Sequence, residues 1–490
     1  MQLLDPVNRF VAADRGGLIG GEWVPGSGGT IDVENPATGT ILTSVANMTA
    51  TDVDAAVDAA RRALPVWRGL PPTERAQLMW RLGDLIAERA DELAQLDALD
   101  NGKTVGDALA VDLPLTIEIF RYYAGWVTKI EGRQLPISIP DFHAYTRREP
   151  MGVVGAIVPW NFPLLMCAYK LGPALAAGNT VVLKPAEQTP LSALRLGELI
   201  IEAGFPPGVV NIITGDGPTT GAPLAAHTGV DKVSFTGDYQ TGRKILDASQ
   251  GNLKRVTLEL GGKSPNIVFP DAQLEAAVDG AFGSVFFNQG QCCIAGSRLF
   301  AHEAIADELV ERLVAKAEGI VLGSGLDDRT DMGPLVSAVQ LDRVLGHVER
   351  ARQDGATVLT GGERGEGTLA AGHFVRPTVV TDVDSSMPIM NDEVFGPVVA
   401  VSRFTDEADV VERANDIRFG LAAGIWTTDV RRTHRVAAAL QAGTVWVNTY
   451  GMFDVAAPYG GYKMSGYGRE LGEESLDAYL QSKTVWVNLA

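Results

Sequence analysis

Apolar residues recur at helical spacing over residues 51–67, with Asp52 and Asp54 in the first turn. A second such run covers residues 73–100, opened by Pro71-Pro72 and closed by Asn101-Gly102, and a third lies near 113–126. All three read as scaffold helices with one buried face. Before them the chain breaks into strand fragments around the turns Gly20-Gly21-Glu22-Trp23 and Asn35-Pro36-Ala37-Thr38-Gly39. From Met151 the pattern changes to short, almost continuously apolar runs: VVGAIVP, TVVLKP, VVNIIT, KVSFTG and RVTLEL. Strands of that kind are covered on both faces, as in a parallel sheet. The stretches between them, such as 192–203 and 240–250, suit crossover helices, so residues 151–261 predict an open, doubly wound sheet of Rossmann type. After Gly261 a second α/β pattern predicts helices over 272–288 and 303–318, and strands over 398–404, 422–427 and 444–448. Residues 132–150 and 482–490 alternate like strands (LPISIP, TVWVNL), with no obvious sheet of their own.

A window average over 153–183 resembles a membrane span, but Pro159, Asn161, Pro163, Lys170, Pro173 and Gly178-Asn179 interrupt it. It reads instead as strand, loop, short buried helix, turn and strand. Length adds one constraint: 490 residues exceed a single core and predict two or three domains. The formal charge of −19 argues against nucleic-acid or anionic-membrane partners. Three cysteines make no disulfide framework, and the N-terminus lacks the apolar core of a secretory signal. Both fit a cytoplasmic location.

Candidate chemistry begins at residues 285–298, VFFNQGQCCIAGSR, where Cys292 and Cys293 are neighbours between flexible turns. A cysteine is more often a small buried hydrophobe, so the doublet alone marks only a candidate nucleophile. Upstream, Glu259 is a lone carboxylate inside the apolar VTLEL run, just before Gly261-Gly262. Burying it demands either a task or a partner such as a structural ion pair. No GxGxxG follows the first strand of the sheet, so the usual dinucleotide fingerprint is missing.

LELGGKSP and FFNQGQCC together resemble the active-site signature of the NAD(P)-dependent aldehyde dehydrogenase superfamily, in its non-acylating, hydrolytic branch. PWNFP (159–163), KPAEQTP (184–190), SFTG (234–237), EVFGP (393–397) and PYGGYKMSGYGRE (458–470) match in the family's order and spacing. The resemblance implies an α/β, aldehyde-dehydrogenase-like fold. A cofactor domain would comprise 1–131 and 151–261, and a catalytic domain 262–479. Residues 132–150 and 480–490 would form a small β oligomerisation arm, giving a homodimer or homotetramer.

By the same resemblance Cys293 is the nucleophile, although the residues themselves do not separate it from Cys292. Glu259 is the general base that hydrolyses the thioester. Asn161 is an oxyanion donor alongside the Cys293 backbone N–H, and Lys170 with Glu470 a proton-relay pair. NAD would be held by Pro159, Trp160, Lys184, Glu187, Gly217, Phe235, Thr236, Gly237, Asp238, Gly242, Leu260, Glu393 and Phe395, and no metal is expected. Within that set, the helix start after Gly237 receives the pyrophosphate. Glu187 accepts from ribose hydroxyls and repels a 2′-phosphate, which leaves NADP the less favoured cofactor. Relatives often carry serine where this chain has Asp238, an acid that caps a helix yet competes with phosphate for its N–H groups. The substrate positions are Phe162, Tyr169, Phe287, Cys292, Ile294, Phe453 and Tyr459. Their aromatics are ordinary core fillers singly, and as a set they suggest an apolar or aromatic aldehyde. Asp454 and Glu118 are candidate exceptions. The expected reaction is irreversible oxidation of an aldehyde to its acid. A CoA-acylating relative and a catalytically idle relative are the alternatives; Glu259 weighs against the first, and Asn161, Glu259 and Cys293 together against the second.

Overall fold

The five apolar runs become the parallel centre of an eight-stranded sheet. A computed structural model describes residues 2–490. In spatial order the central strands are Val210–Ile212, Thr180–Lys184, Val153–Ile157, Lys232–Gly237 and Arg255–Leu260. The order reverses between Val153–Ile157 and Lys232–Gly237, which pair in parallel register (Ile157 opposite Phe235). A crevice at the carboxyl ends of the strands is therefore built in at that point. The hairpin Gly17–Ile19/Glu22–Val24, turning through Gly20 and Gly21, adds antiparallel strands at one edge. At the other edge Gly466–Tyr467 pairs with Leu258 and Glu259, so a late segment of the chain lies directly beside the candidate base.

The crossover helices fall where the pattern predicts them, at Leu191–Ala203 and Tyr239–Ala248. Residues 153–183 form a strand, a loop, the buried helix Pro163–Ala176 and a second strand. Among the described residues no helix is long and apolar enough to cross a membrane. The long run over 73–100 is not one helix. It divides into Pro72–Glu88 and Ala90–Asp100, with Arg89 leaving helical geometry (φ −114°, ψ 19°). The second piece is buried on every side and so must change direction into the core, which a pattern of one apolar face does not reveal.

The second sheet has seven strands: Thr357–Thr360, Thr378–Thr381, Val398–Phe404, Arg298–His302, Pro265–Val268, Ala422–Trp426 and Thr444–Val447. All its pairings are parallel except the first. The sequence pattern marks three of these strands, Val398–Phe404, Ala422–Trp426 and Thr444–Val447, and misses four others of four or five residues. Phe142–Pro150 and Leu480–Asn488, which showed no sheet of their own, pair with each other along their whole length. Such a partner, more than three hundred residues away, leaves no mark on local periodicity.

Beneath the first sheet Asp97, Asp100 and Asp112 are fully buried around Lys103, whose ammonium pairs with Asp112 and lies 4.3 Å from the centre of the Phe162 ring. Burial raises the Asp97 carboxyl to about 7, against the opposing charge of Lys103. A carboxyl raised by folding contributes stability that is complete below its unfolded value near 4 and lost as pH climbs through about 7. Asp97→Asn, which cannot ionise, should flatten the decline in apparent Tm between pH 4 and 7. Parallel Tm-versus-pH curves for the two proteins would show that Asp97 carries no such linkage.

Candidate active site

At the sheet's switch point lies a cavity of about 900 Å³, mostly apolar, that reaches from the first sheet to the cysteine doublet. Its geometry depends on how the chain arrives at Cys293. The helix Leu274–Phe286 ends, and Asn288, Gln289 and Gly290 then adopt left-handed backbone in succession (φ 49°, 57° and 68°). At position 290 only glycine fits, since a Cβ there would lie 2.1 Å from the Gly396 carbonyl oxygen. The reversal points the Gln291 carbonyl at two amides: Asn161 Nδ2 donates to it at 3.0 Å and Asn288 Nδ2 at 3.2 Å. Asn288 Nδ2 also donates to the Asn161 carbonyl at 2.9 Å. The cysteine loop and the Asn161 loop are thus latched together, and Asn161 is buried with its amide orientation set. Asn288 and Gln289 were not singled out from sequence, because an Asn-Gln pair before glycine reads as an ordinary turn.

Cys292 and Cys293 both line the cavity and both are partly buried, so exposure does not distinguish them. Cys293 Sγ lies 3.1 Å from Tyr459 Oη. The hydrogen bond and charge of the adjacent Cys292, together with burial, push the Cys293 thiol up. Glu259, one residue from the end of its strand, lies against the same cavity, buried, with neither carboxylate oxygen hydrogen-bonded. Burial holds its carboxyl well above the usual range, reinforced by Glu470 and Cys293 and opposed by Lys170. Among the described residues no ion pair engages Glu259; Lys170 pairs instead with Glu470. Of that pair only Glu470 faces the cavity, with Lys170 behind it.

The other cofactor candidates distribute along one limb of the cavity. Pro159, Trp160, Lys184, Glu187, Gly217, Phe235, Thr236, Gly237, Asp238 and Leu260 all line it. Lys184 is buried and lies 3.3 Å from the half-buried Glu187. Gly217 has open space where a side chain would stand, and the buried Thr236 hydroxyl has no partner. A limb with a buried ammonium, two acids, an orphan hydroxyl and a helix N-terminus suits an elongated group bearing both phosphates and sugar hydroxyls. Asp238 caps the helix Tyr239–Ala248, accepting from the N–H groups of Gln240 at 2.9 Å and Thr241 at 3.0 Å. Gly242 stands apart: it packs against Leu260, behind the cavity wall.

Glu393 and Phe395 close the far side. Glu393 Oε1 accepts from the Gly262 N–H at 3.0 Å, and removal from water raises its carboxyl to about 7. Phe395, left-handed at φ 57°, sets its ring against Trp160 at 5.2 Å. Gln340 Nε2 donates to the Phe395 carbonyl at 2.7 Å, and Arg343 to that of Glu393 at 2.9 Å. Both residues line the cavity and both were missed. Their helix, Ala338–Gln353, has a readable start in its Ser337 cap, but its approach to this site is a tertiary fact. In the other limb Phe162 stacks on Phe287 at 6.2 Å, and Tyr459 meets Phe453 at 5.5 Å and Tyr169 at 6.3 Å. Ile294, Leu115, Leu165, Met166 and Tyr450 complete that limb. Glu118 is exposed, and Asp454 accepts from the Ala456 N–H in a turn; neither lines the cavity.

The sequence model of the aldehyde dehydrogenase family matches residues 23–485. A putative aldehyde dehydrogenase, DhaS, of Bacillus subtilis is 51% identical over 492 aligned positions, covering 100% of this chain and 99% of its own. The human mitochondrial aldehyde dehydrogenase is 51% identical, covering 96% of this chain and 92% of its own. Among solved structures, the NAD+ complex of aldehyde dehydrogenase from Bacillus cereus superposes with a TM-score of 0.98 at 50% identity, over 100% of both chains.

Proposed function

The chain belongs to the aldehyde dehydrogenase family, and from that premise we propose the division of labour by which its residues oxidise an aldehyde with NAD. Cys293 attacks the carbonyl carbon, and Asn161 with the Cys293 backbone N–H steadies the resulting oxygen anion. Bound NAD supplies the hydride acceptor. Cys293 then carries the acyl group as a thioester, and Glu259 takes a proton from the water that releases the carboxylic acid. Lys170 and Glu470 pass that proton onward. The single observation that favours hydrolysis is Glu259, a buried carboxylate with no partner, facing the cavity that holds Cys293. Burial raises the basicity of its carboxylate, which suits a general base.

Lys184 and Glu187 grip the adenosine ribose, Thr236 and Gly237 meet the phosphates beside the helix start that Asp238 caps, and Glu393 and Phe395 hold the nicotinamide half. The aromatic limb takes an apolar or aromatic aldehyde, since the side chains around Phe162 and Phe287 that line it are uncharged, and the Lys103 ammonium behind the Phe162 ring is already paired with Asp112. The division at 1–131 with 151–261, 262–479, and 132–150 with 480–490 belongs to the same reading. So does assembly into a homodimer or homotetramer through the paired arm strands, whose Phe142 and Trp486 are exposed. A cytoplasmic site of action fits the three unpaired cysteines.

Incubation with NAD and a panel of aldehydes, following NADH with and without CoA, tests the reaction. NADH formation that required CoA would favour acyl transfer to CoA, and none with any aldehyde would favour an idle relative. Cys293→Ala should abolish NADH formation while Cys292→Ala retains substantial turnover; the reverse result would move the nucleophile to Cys292.

Glu259→Gln keeps shape and removes the base. It should give a stoichiometric NADH burst followed by turnover about 10²–10⁴ slower. A burst-free trace with equally impaired thiol labelling would make Glu259 the activator of the thiol instead.

Asp238 holds the helix donors that a phosphate would otherwise take, and like charges at an exposed site cost about 1 kcal/mol after screening. Asp238→Ser should therefore tighten NAD binding several-fold, most at low salt. Equal dissociation constants at low and high salt would leave Asp238 as a helix cap only.

A further inference from the structure

Tyr459 stands in the substrate limb as one aromatic among several, yet its hydroxyl does something the other rings do not. Its oxygen lies 3.1 Å from Cys293 Sγ, a hydrogen-bonding distance for sulfur. The ring is held from three sides. Its backbone exchanges two 2.7 Å hydrogen bonds with Glu470, from Tyr459 N–H to the Glu470 carbonyl and back. Phe453 and Tyr169 meet the ring edge-on, and the residue is 8% exposed. The following residue, Gly460, passes so close to Glu259 that a Cβ there would lie 2.8 Å from Oε1. One short segment therefore ties the hydroxyl to the thiol and lies against the carboxylate.

We propose that Tyr459 is a catalytic residue, whose hydroxyl donates a hydrogen bond to the Cys293 sulfur and stabilises it as the reactive thiolate. This rests on the reading of Cys293 as nucleophile. The direction of the bond follows from relative acidity. A thiol is ordinarily more acidic than a phenol. Cys292 and burial push the Cys293 thiol up, and burial with neighbouring charge the Tyr459 hydroxyl, but the hydrogen bond between the two lowers the thiol while it raises the hydroxyl. When the pair loses one proton it therefore leaves sulfur for water, and the O–H stays on Tyr459 facing the new anion. The remaining ionisable neighbours of the thiol are Cys292, Glu259, Glu393, Tyr169 and Tyr450. None of them is a cation, and an anion on any opposes the thiolate. Tyr459 is the one side chain in this group that favours it. Once sulfur bonds to carbon its charge is gone and the hydrogen bond weakens, so the interaction acts on the attacking state.

Tyr459→Phe removes the hydroxyl and keeps the ring. The direct readout is the rate of iodoacetamide alkylation of Cys293 against pH, with the adjacent thiols resolved by peptide mass spectrometry. Hydrogen bonds to ionised groups are strong enough that alkylation near pH 7 should fall about five- to tenfold in the variant. The two rates should converge at alkaline pH, where the thiol is ionised in both proteins. The acidic limb of kcat/KM should move to higher pH by the same amount, with aldehyde KM within about twofold. Superimposable alkylation profiles, a profile displaced to lower pH, or an equal loss at every pH would overturn the proposal. Because labelling needs no turnover, it fails or succeeds independently of the nucleophile assignment, which Cys293→Ala decides.

Discussion

The latch between Asn161 and the Gln291 carbonyl is the contact on which the rest of the site depends. It joins a loop that leaves the first sheet to a loop that leads into the second, so the two halves of the cavity share one hydrogen-bonded seam. The seam exists only because Asn288, Gln289 and Gly290 reverse the chain through left-handed backbone. Non-glycine residues in that region cost free energy that the surrounding structure must offset. Here the offset is the Asn288 amide, which satisfies two carbonyls at once, and the Gln291 side chain, which accepts from the Val336 N–H at 3.0 Å. Strain in the loop is thereby converted into a thiol held in place beside an amide donor.

Around that seam the electrostatics run against ionisation. Glu259 and Glu393 are both raised, chiefly by removal from water, and Cys293 is raised by its neighbour Cys292 and by burial. The buried cations relieve them only in part: Lys170 opposes the shift at Glu259, and Lys263 that at Glu393. Lys170 is committed to Glu470, and Lys184 lies beside Glu187 on the cofactor limb. Of the raised groups, Glu393, at about 7, can hold or release a proton near neutral pH. The same property makes the arrangement dependent on individual dipoles, such as the Gly262 N–H on Glu393 and the Tyr459 hydroxyl on Cys293.

Two glycines after Glu259 show how tightly the halves are fitted. A Cβ on Gly261 would stand 1.9 Å from Glu393 Oε2, and one on Gly262 would stand 2.5 Å from the Cys293 carbonyl oxygen. The LELGG run therefore delivers more than a carboxylate. It clears the space in which a cofactor-limb acid and the cysteine loop approach the same strand end. Gly466, whose Cβ would meet the Leu258 carbonyl at 2.0 Å, does the same for the late strand that closes the sheet edge.

The sequence by itself determined the elements whose signal is local. The five central strands of the first sheet follow from uninterrupted apolar runs, the Asp238 cap from an acid before an amphipathic helix, and the helices Glu303–Glu318 and Leu113–Trp126 from periodic burial. Candidate chemistry was legible where a residue type was out of place, as with Glu259 in an apolar strand or a cysteine doublet in a chain of three cysteines. Only the tertiary structure decided which of these groups meet. It placed Tyr459 on the thiol, Gln340 and Arg343 against the cavity, and Lys170 and Gly242 behind its wall. It also paired strands at the two ends of residues 142–488. The physical reason is common to all of them: periodicity and propensity report a residue's immediate neighbours, whereas a site is made by contacts between segments far apart in sequence. Those contacts depend on where several chain reversals finally point.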